Sequence, residues 1–96
     1  MKGCYLIHFD KEIPITVLRI FGDKRHYFGY SSNISRRFKQ HESGVGRASV
    51  PCKKAVECRI GMTLARTFEG GPELETEILR DHKDISKLCP VCIGLG

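Results

Sequence analysis

An arginine and a histidine lie one helical turn apart in the middle of the chain. Residues 34–41 have a helical period, with Ile34 and Phe38 on the same face. Arg37 and His41 are four residues apart, so both side chains flank this apolar stripe. There a guanidinium can bind a phosphate through two parallel hydrogen bonds. We interpret both residues as functional; the alternative for His41 is a neutral surface residue or a cation favoured by the helix dipole.

A glutamate in the last helical segment is the most informative single residue. On a helical wheel Glu75 falls between Ile78 and Leu79, whereas Glu73 and Glu77 project toward the polar side. A carboxylate within an apolar arc is costly to bury without a partner, and a divalent cation would supply one. We therefore predict one Mg²⁺ or Mn²⁺ ion at Glu75, since both ions favour oxygen ligands. The alternative is that all three glutamates favour the positive end of the helix dipole.

The segments that must position these residues change from strand patterns to helix patterns along the chain. Strands are predicted over residues 5–9 and 25–30, with the β-branched residues 13–21 as a further strand. The later elements are a helix over 34–41 capped by Ser32 or Asn33, a helix from 49–51 to about 60, a strand over 62–68 and a helix from 73 to about 82. This order predicts an α+β fold with a small three- or four-stranded antiparallel sheet flanked by helices.

Three motifs together resemble those of a nuclease family. Residues 27–41, YFGYSSNISRRFKQH, resemble the second half of the GIY-YIG signature, where a YIG strand end precedes a polar cap and an arginine-bearing helix. Gly3-Cys4-Tyr5 resembles the GIY half, and residues 74–79, LETEIL, resemble the helix with the family's metal-binding glutamate. Because the matches follow the family's order, residues 1–96 are expected to form one small stand-alone GIY-YIG-like domain with a cysteine-containing tail at 88–96.

The resemblance implies roles for two tyrosines and a reaction. Tyr5 and Tyr27 would be the family tyrosines that face the scissile phosphate, although strand tyrosines are often packing residues with a solvated hydroxyl. A water, deprotonated by a tyrosine hydroxyl or by His41, would attack phosphorus in line. Arg37 would stabilise the developing charge, and the cation held by Glu75 would neutralise the leaving oxygen. The identity of the general base stays open at this point.

The charge of the chain suits a partner made of phosphates. The formal net charge is +5 and the pI is about 9.1, although many basic proteins bind no nucleic acid. DNA is the expected partner. The residues expected to contact it are Arg25, His26, Tyr30, Arg36, Lys39 and Arg47. A solvated basic face also explains Arg36 and Lys39. Phosphate contacts position a protein without specifying sequence, so we predict low intrinsic sequence specificity.

Two positions depart from the family pattern and keep other functions open. The family often has an asparagine after the glutamate helix, behind a proline, but here Pro90 is followed by Val91 and Cys92. The position after the YIG triplet, often polar, is Tyr30. One alternative is a catalytically inactive nucleic-acid-binding module on the same fold, zinc-stapled or not. Another is a basic interaction domain with no nucleic-acid role.

The cysteines indicate a reducing environment. Five is an odd number, which argues against a closed disulfide framework and favours a cytoplasmic location. Cys89 and Cys92 have the spacing of half a tetrahedral zinc site, with His82, Cys52 or Cys58 as candidate further ligands. We interpret the thiols as inert, with zinc or a redox pair as alternatives. No secretory signal or membrane span is predicted, so no membrane partner is expected. The sequence does not indicate which oligomeric state the protein has.

Overall fold

The computed structural model describes residues 1–14, 25–82 and 84–94 of the chain. Its elements in chain order are β1 (Gly3–Phe9), β2 (His26–Ser31), α1 (Ile34–Ser43), α2 (Val50–Glu57), β3 (Met62–Glu69), α3 (Glu73–Asp81) and a 3₁₀ helix (Ile85–Leu88). The α+β class and the antiparallel sheet are therefore confirmed. The strand predicted over 13–21 lies mostly outside the described residues, and its described members, Ile13 and Pro14, belong to no strand.

The sheet has three antiparallel strands in the order β2-β1-β3, so β1 is its centre. In the β1–β2 register Tyr5 lies opposite Gly29, and His8 lies opposite His26. Gly3 has φ +151° and a Cβ added there would collide with the carbonyl oxygen of Phe68 on β3. The close approach of β1 and β3 therefore requires glycine at the first position of the strand.

Both faces of the central strand are buried, and alternate residues of β1 pack into separate clusters. One cluster contains Cys4, Leu6, Phe28, Ile78, Ile85, Leu88 and Cys89, and we call this side the α3 face. The other contains Tyr5, Ile7, Phe9, Ile13, Ile34, Cys52 and Ala55, and we call this side the tyrosine face. Since side chains alternate along a strand, His8 lies on the α3 face with Cys4 and Leu6.

The helix α1 begins and ends at residues that satisfy its terminal backbone groups. The Asn33 side chain accepts a hydrogen bond from the Arg36 N–H at 3.1 Å, as expected for an N-cap. Gly44 ends the helix in the left-handed conformation at φ 69°. The predicted cap and the predicted extent of this helix are confirmed, apart from two further residues at its C-terminus.

The helix α2 is shorter than predicted. Ser49 caps it, and Pro51 occupies its first turn, as the sequence indicates. However, α2 ends at Glu57 instead of about residue 60, because Cys58 leaves the helix and Arg59 adopts a positive φ of 57°. Within the residues described above, no helix is long and apolar enough to cross a membrane.

Candidate active site

Two tyrosines from neighbouring strands meet on the tyrosine face. The rings of Tyr5 and Tyr27 lie 6.2 Å apart between centroids, with Tyr5 almost fully buried and Tyr27 half-buried. A Cβ added at Gly29 would lie 2.9 Å from the hydroxyl oxygen of Tyr5. Glycine opposite Tyr5 in the register thus provides the space in which the phenol lies.

A buried histidine from α1 contacts both tyrosines. His41 has no exposed surface, and its Nε2 lies 2.9 Å from the Tyr5 hydroxyl oxygen. Its ring centroid is 5.3 Å from that of Tyr27. On the other side of the imidazole, the backbone N–H of Ser49 donates a hydrogen bond to Nδ1 at 3.1 Å. Ser49 also caps α2, so one residue begins that helix and orients the histidine.

These contacts determine the protonation of His41. Burial, assisted by the positive charge of Arg37, lowers the pKa of His41 from 6.5 to about 4, so the ring is neutral at physiological pH. Since Nδ1 accepts from Ser49, the single proton of the neutral ring is on Nε2. The Nε2–H of His41 therefore donates to the oxygen of Tyr5.

The guanidinium of Arg37 is held at the edge of this group. Its Nη1 donates to the Gln40 side-chain oxygen at 3.0 Å and to the Arg47 carbonyl oxygen at 2.7 Å. Burial raises the pKa of both Tyr5 and Tyr27, and the charge of Arg37 opposes that increase. Arg37 is thus the cation that favours a phenolate here, and it is half-buried, at the helix–sheet border.

The carboxylate of Glu75 approaches the site from α3. Glu75 is half-buried, and burial raises its pKa. Its charge raises the pKa of Tyr27, and it also contributes, after burial, to raising the pKa of Cys4 to about 11. Glu75 therefore lies within electrostatic range of Cys4 on the α3 face and of Tyr27 on the tyrosine face. A carboxylate in this position is stabilised by a nearby cation.

The predicted nucleic-acid-binding residues lie in different places. A cavity of about 230 Å³ next to the site is lined by Arg36, Arg37 and Arg47, together with Ser31, Ser32, Asn33 and Gln40. Lys39 lines a neighbouring groove with Arg36. Arg25 is exposed just before β2. Tyr30 packs against the α3-face cluster, and His26 is buried on that same face, so neither joins the basic cavity.

The structure also brings together four residues of which the sequence indicated only part. Cys89 and Cys92 lie beside His8 and His26, with the four ligand atoms within 4.8 Å of one another. The further zinc ligands suggested by the sequence are elsewhere: Cys52 is buried in the tyrosine-face cluster, and Cys58 and His82 are exposed. Ser49 orients His41, and Gln40 orients Arg37. The sequence does not indicate either contact, because the residue types alone do not show which neighbours these side chains bind.

Comparison with known protein families identifies a match over most of the chain. A sequence model of the GIY-YIG catalytic domain family matches residues 1–88 of the 96-residue chain. Domains of this family are nucleases that use divalent metals. No curated protein and no solved structure gave a significant match.

Proposed function

Because the chain belongs to the GIY-YIG family of catalytic domains, we propose that it is a divalent-metal-dependent endonuclease that hydrolyses DNA phosphodiester bonds. The observation that carries the proposal is the convergence of Tyr5, Tyr27, Arg37 and His41 around one hydrogen bond, beside a cavity lined by arginines. A guanidinium, two phenols and a neutral imidazole are suited to bind a phosphodiester and move one proton. The basic cavity would contact the DNA backbone and read no bases, so cleavage has low sequence specificity.

The hydrogen-bond directions favour Tyr5 as the proton acceptor. His41 has its proton on Nε2 and its Nδ1 lone pair engaged by Ser49, so it cannot take a proton from water. Its Nε2–H instead stabilises negative charge on the oxygen of Tyr5. Burial raises the pKa of Tyr5, so Tyr5 acts as a base only after its hydroxyl has lost its proton to solvent, and the resulting phenolate needs nearby cations to counter that burial. We assign this role to Arg37 together with the metal.

The residues fit an oxygen-ligated divalent cation. Glu75 offers one half-buried carboxylate whose pKa is raised by burial, and Mg²⁺ is commonly bound by one or two carboxylates, waters and substrate phosphate oxygens. When bound at Glu75, the ion would stabilise negative charge on the phosphate and the leaving oxygen. Arg37 would bind the non-bridging oxygens, and its hydrogen bonds to Gln40 and Arg47 keep it oriented.

Cleavage of plasmid and linear duplex DNA by the purified chain tests the proposal. We expect nicking that requires Mg²⁺ or Mn²⁺, stops with EDTA and produces many cleavage positions. Arg37→Ala should lower the rate about 10²–10³-fold, as for loss of one transition-state donor, and Glu75→Gln by at least about 10²-fold. Lys53→Ala and Glu77→Gln, at exposed helix positions, are the matched controls and should retain full activity.

Several outcomes would contradict the proposal. DNA binding without cleavage in any divalent metal would identify a catalytically inactive binding module on this fold. Equal cleavage rates for Glu75→Gln and Glu77→Gln would show that Glu75 does not bind the metal. A single sharply defined cleavage site would contradict low sequence specificity.

A further inference from the structure

Four side chains of the types that can ligate a metal meet on the α3 face, away from the tyrosines. His8 and His26 lie directly opposite each other in the β1–β2 register. Cys89 and Cys92 reach them from the turn that follows the 3₁₀ helix. His8, His26 and Cys89 are buried, whereas Cys92 is exposed. Residues separated by up to 84 positions in sequence thus meet at one point.

Four of the six distances within this group match a tetrahedral coordination shell, and all six are within 4.8 Å. A zinc ion bound at ~2.0–2.1 Å by nitrogen and ~2.3 Å by sulfur requires separations of ~3.3 Å between nitrogens and ~3.5 Å between nitrogen and sulfur. The His8 Nδ1 and His26 Nε2 atoms lie 3.4 Å apart. His8 Nδ1 lies 3.5 Å from the sulfur of Cys89 and 3.6 Å from that of Cys92, and His26 Nε2 lies 3.2 Å from the Cys92 sulfur.

We propose that His8, His26, Cys89 and Cys92 bind one structural zinc ion. Two thiolates and two imidazoles in a tetrahedron are the donor set and the geometry that zinc favours. Four protein ligands leave no open position for substrate or water, so the site is structural and not catalytic. The sequence signal was the Cys89–Cys92 spacing, and the register of β1 and β2 supplies the other half.

A backbone hydrogen bond closes the turn that carries the cysteines. The backbone N–H of Ile93 donates to the Cys89 carbonyl at 3.2 Å, so the chain turns back on itself between the two thiols. The Asp84 side chain accepts hydrogen bonds from the Ser86 backbone N–H at 3.1 Å and from the Ser86 hydroxyl, and so caps the 3₁₀ helix that leads into this turn.

Zinc at this position would tie the C-terminal segment to the sheet. Ile85 and Leu88, just before the cysteines, pack into the α3-face cluster with Leu6 and Phe28. A chain of 96 residues buries a modest core, so a metal that joins its last elements to the central strand adds directly to folding stability. The ion would therefore hold the tail against β1 and β2 and thereby complete the α3 face.

The experiment measures zinc on the full chain, without reference to nuclease activity. Protein purified without chelator is analysed for zinc content, and its X-ray absorption spectrum is recorded. We expect one zinc per chain, with two sulfurs at about 2.3 Å and two nitrogens at about 2.0 Å. Replacement by Co²⁺ should give the visible absorption of a tetrahedral ion and a sulfur-to-cobalt charge-transfer band.

Two alanine variants at exposed cysteines form a matched pair. Cys92→Ala should weaken Zn²⁺ binding by more than about 100-fold, since even outer-shell partners contribute 10–100-fold. Cys58→Ala should bind zinc as the unchanged protein does, because Cys58 lies outside the group. A strong chelator should lower the Tm of the unchanged protein and of Cys58→Ala much more than that of Cys92→Ala.

Three results would overturn the proposal. These are a purified chain that neither contains zinc nor takes it up, a Co²⁺ spectrum without sulfur ligation, and equal Zn²⁺ affinity in the two variants. The spectra of the unchanged protein decide the matter even if Cys92→Ala folds poorly. A failure of DNA cleavage would leave all of these readouts unaffected.

Discussion

Lowering the pH from 7.5 to 4.5 is expected to cost the folded protein about 2.5 kcal/mol through His41 alone. In the folded chain the pKa of His41 is lowered from 6.5 to about 4, first by burial and then by the charge of Arg37. Between these two values the unfolded chain binds a proton that the folded chain does not. This contribution is therefore complete above pH 6.5 and is lost as the pH falls toward 4. One pKa unit corresponds to about 1.4 kcal/mol, which gives losses of about 1.4 kcal/mol at pH 5.5 and about 2.5 kcal/mol at pH 4.5.

Urea unfolding of the protein and of His41→Gln at several pH values measures this effect. All other pH-dependent contributions are common to both proteins, so the difference between the two stability curves isolates His41. That difference should shrink by about 2.5 kcal/mol between pH 7.5 and 4.5. His82→Gln, at an exposed histidine, should give a curve parallel to that of the unchanged protein.

Imidazole NMR tests the same reasoning at the level of single atoms. The nitrogen shifts of His41 should show a neutral ring with its proton on Nε2 at pH 7, because the Ser49 N–H occupies Nδ1. Parallel stability curves for the protein and His41→Gln, or a proton on Nδ1, would refute the assignment. Either result would also return His41 to the candidates for the general base.

Two further substitutions test the positions that shape the site. Gly29→Ala places a Cβ 2.9 Å from the Tyr5 hydroxyl oxygen, so we expect the phenol to move away from His41 and the cleavage rate to fall more than tenfold without loss of fold. Adding Gly29→Ala to Tyr5→Phe should cause little further loss, and additive losses in this double-mutant cycle would contradict the displacement. Asn33→Ala removes the side-chain acceptor of the Arg36 N–H and should lower the free energy of unfolding by about 1 kcal/mol, measured by urea. Asn33→Asp should retain most of that stability, and an equal loss in both variants would argue against the cap.

The helix that carries Arg37 and His41 could be predicted because its signals are local. An asparagine cap, a glycine exit and a helical period lie within twelve consecutive residues, Asn33 to Gly44. The same period placed Arg37 and His41 beside the Ile34 stripe, where the structure has them half-buried and buried. The end of α2 was less predictable. The sequence predicts a stop near residue 60, but the helix ends at Glu57 and Arg59 adopts the left-handed conformation.

The histidines beside the cysteine pair could not be predicted, because they depend on strand register. Nothing in the residue types near His8 indicates that it lies opposite His26, and a change of register by one residue would place it elsewhere. The Cys89–Cys92 spacing is visible in the sequence, but the sequence offers Cys52, Cys58 and His82 as further ligands and gives no reason to prefer His8 and His26. Side chains from opposite ends of the chain are close together in the folded structure, through the pairing of β1 with β2 and the packing of the tail.

The central strand explains how one small sheet can support two kinds of chemistry. Along β1, Tyr5 faces Tyr27 and His41, whereas Leu6 and His8 face the cysteines. A carboxylate with phosphate and water oxygens suits Mg²⁺, and thiolates with imidazoles suit zinc, so the two proposed sites would select different ions without competing. The alternation that separates them also links them, because a shift of β1 by one residue would exchange Tyr5 with its neighbours and disrupt both sites at once. A metal that joins β1, β2 and the tail would oppose such a shift, and in this way a structural zinc on one face would preserve the register on which the tyrosines of the other face depend.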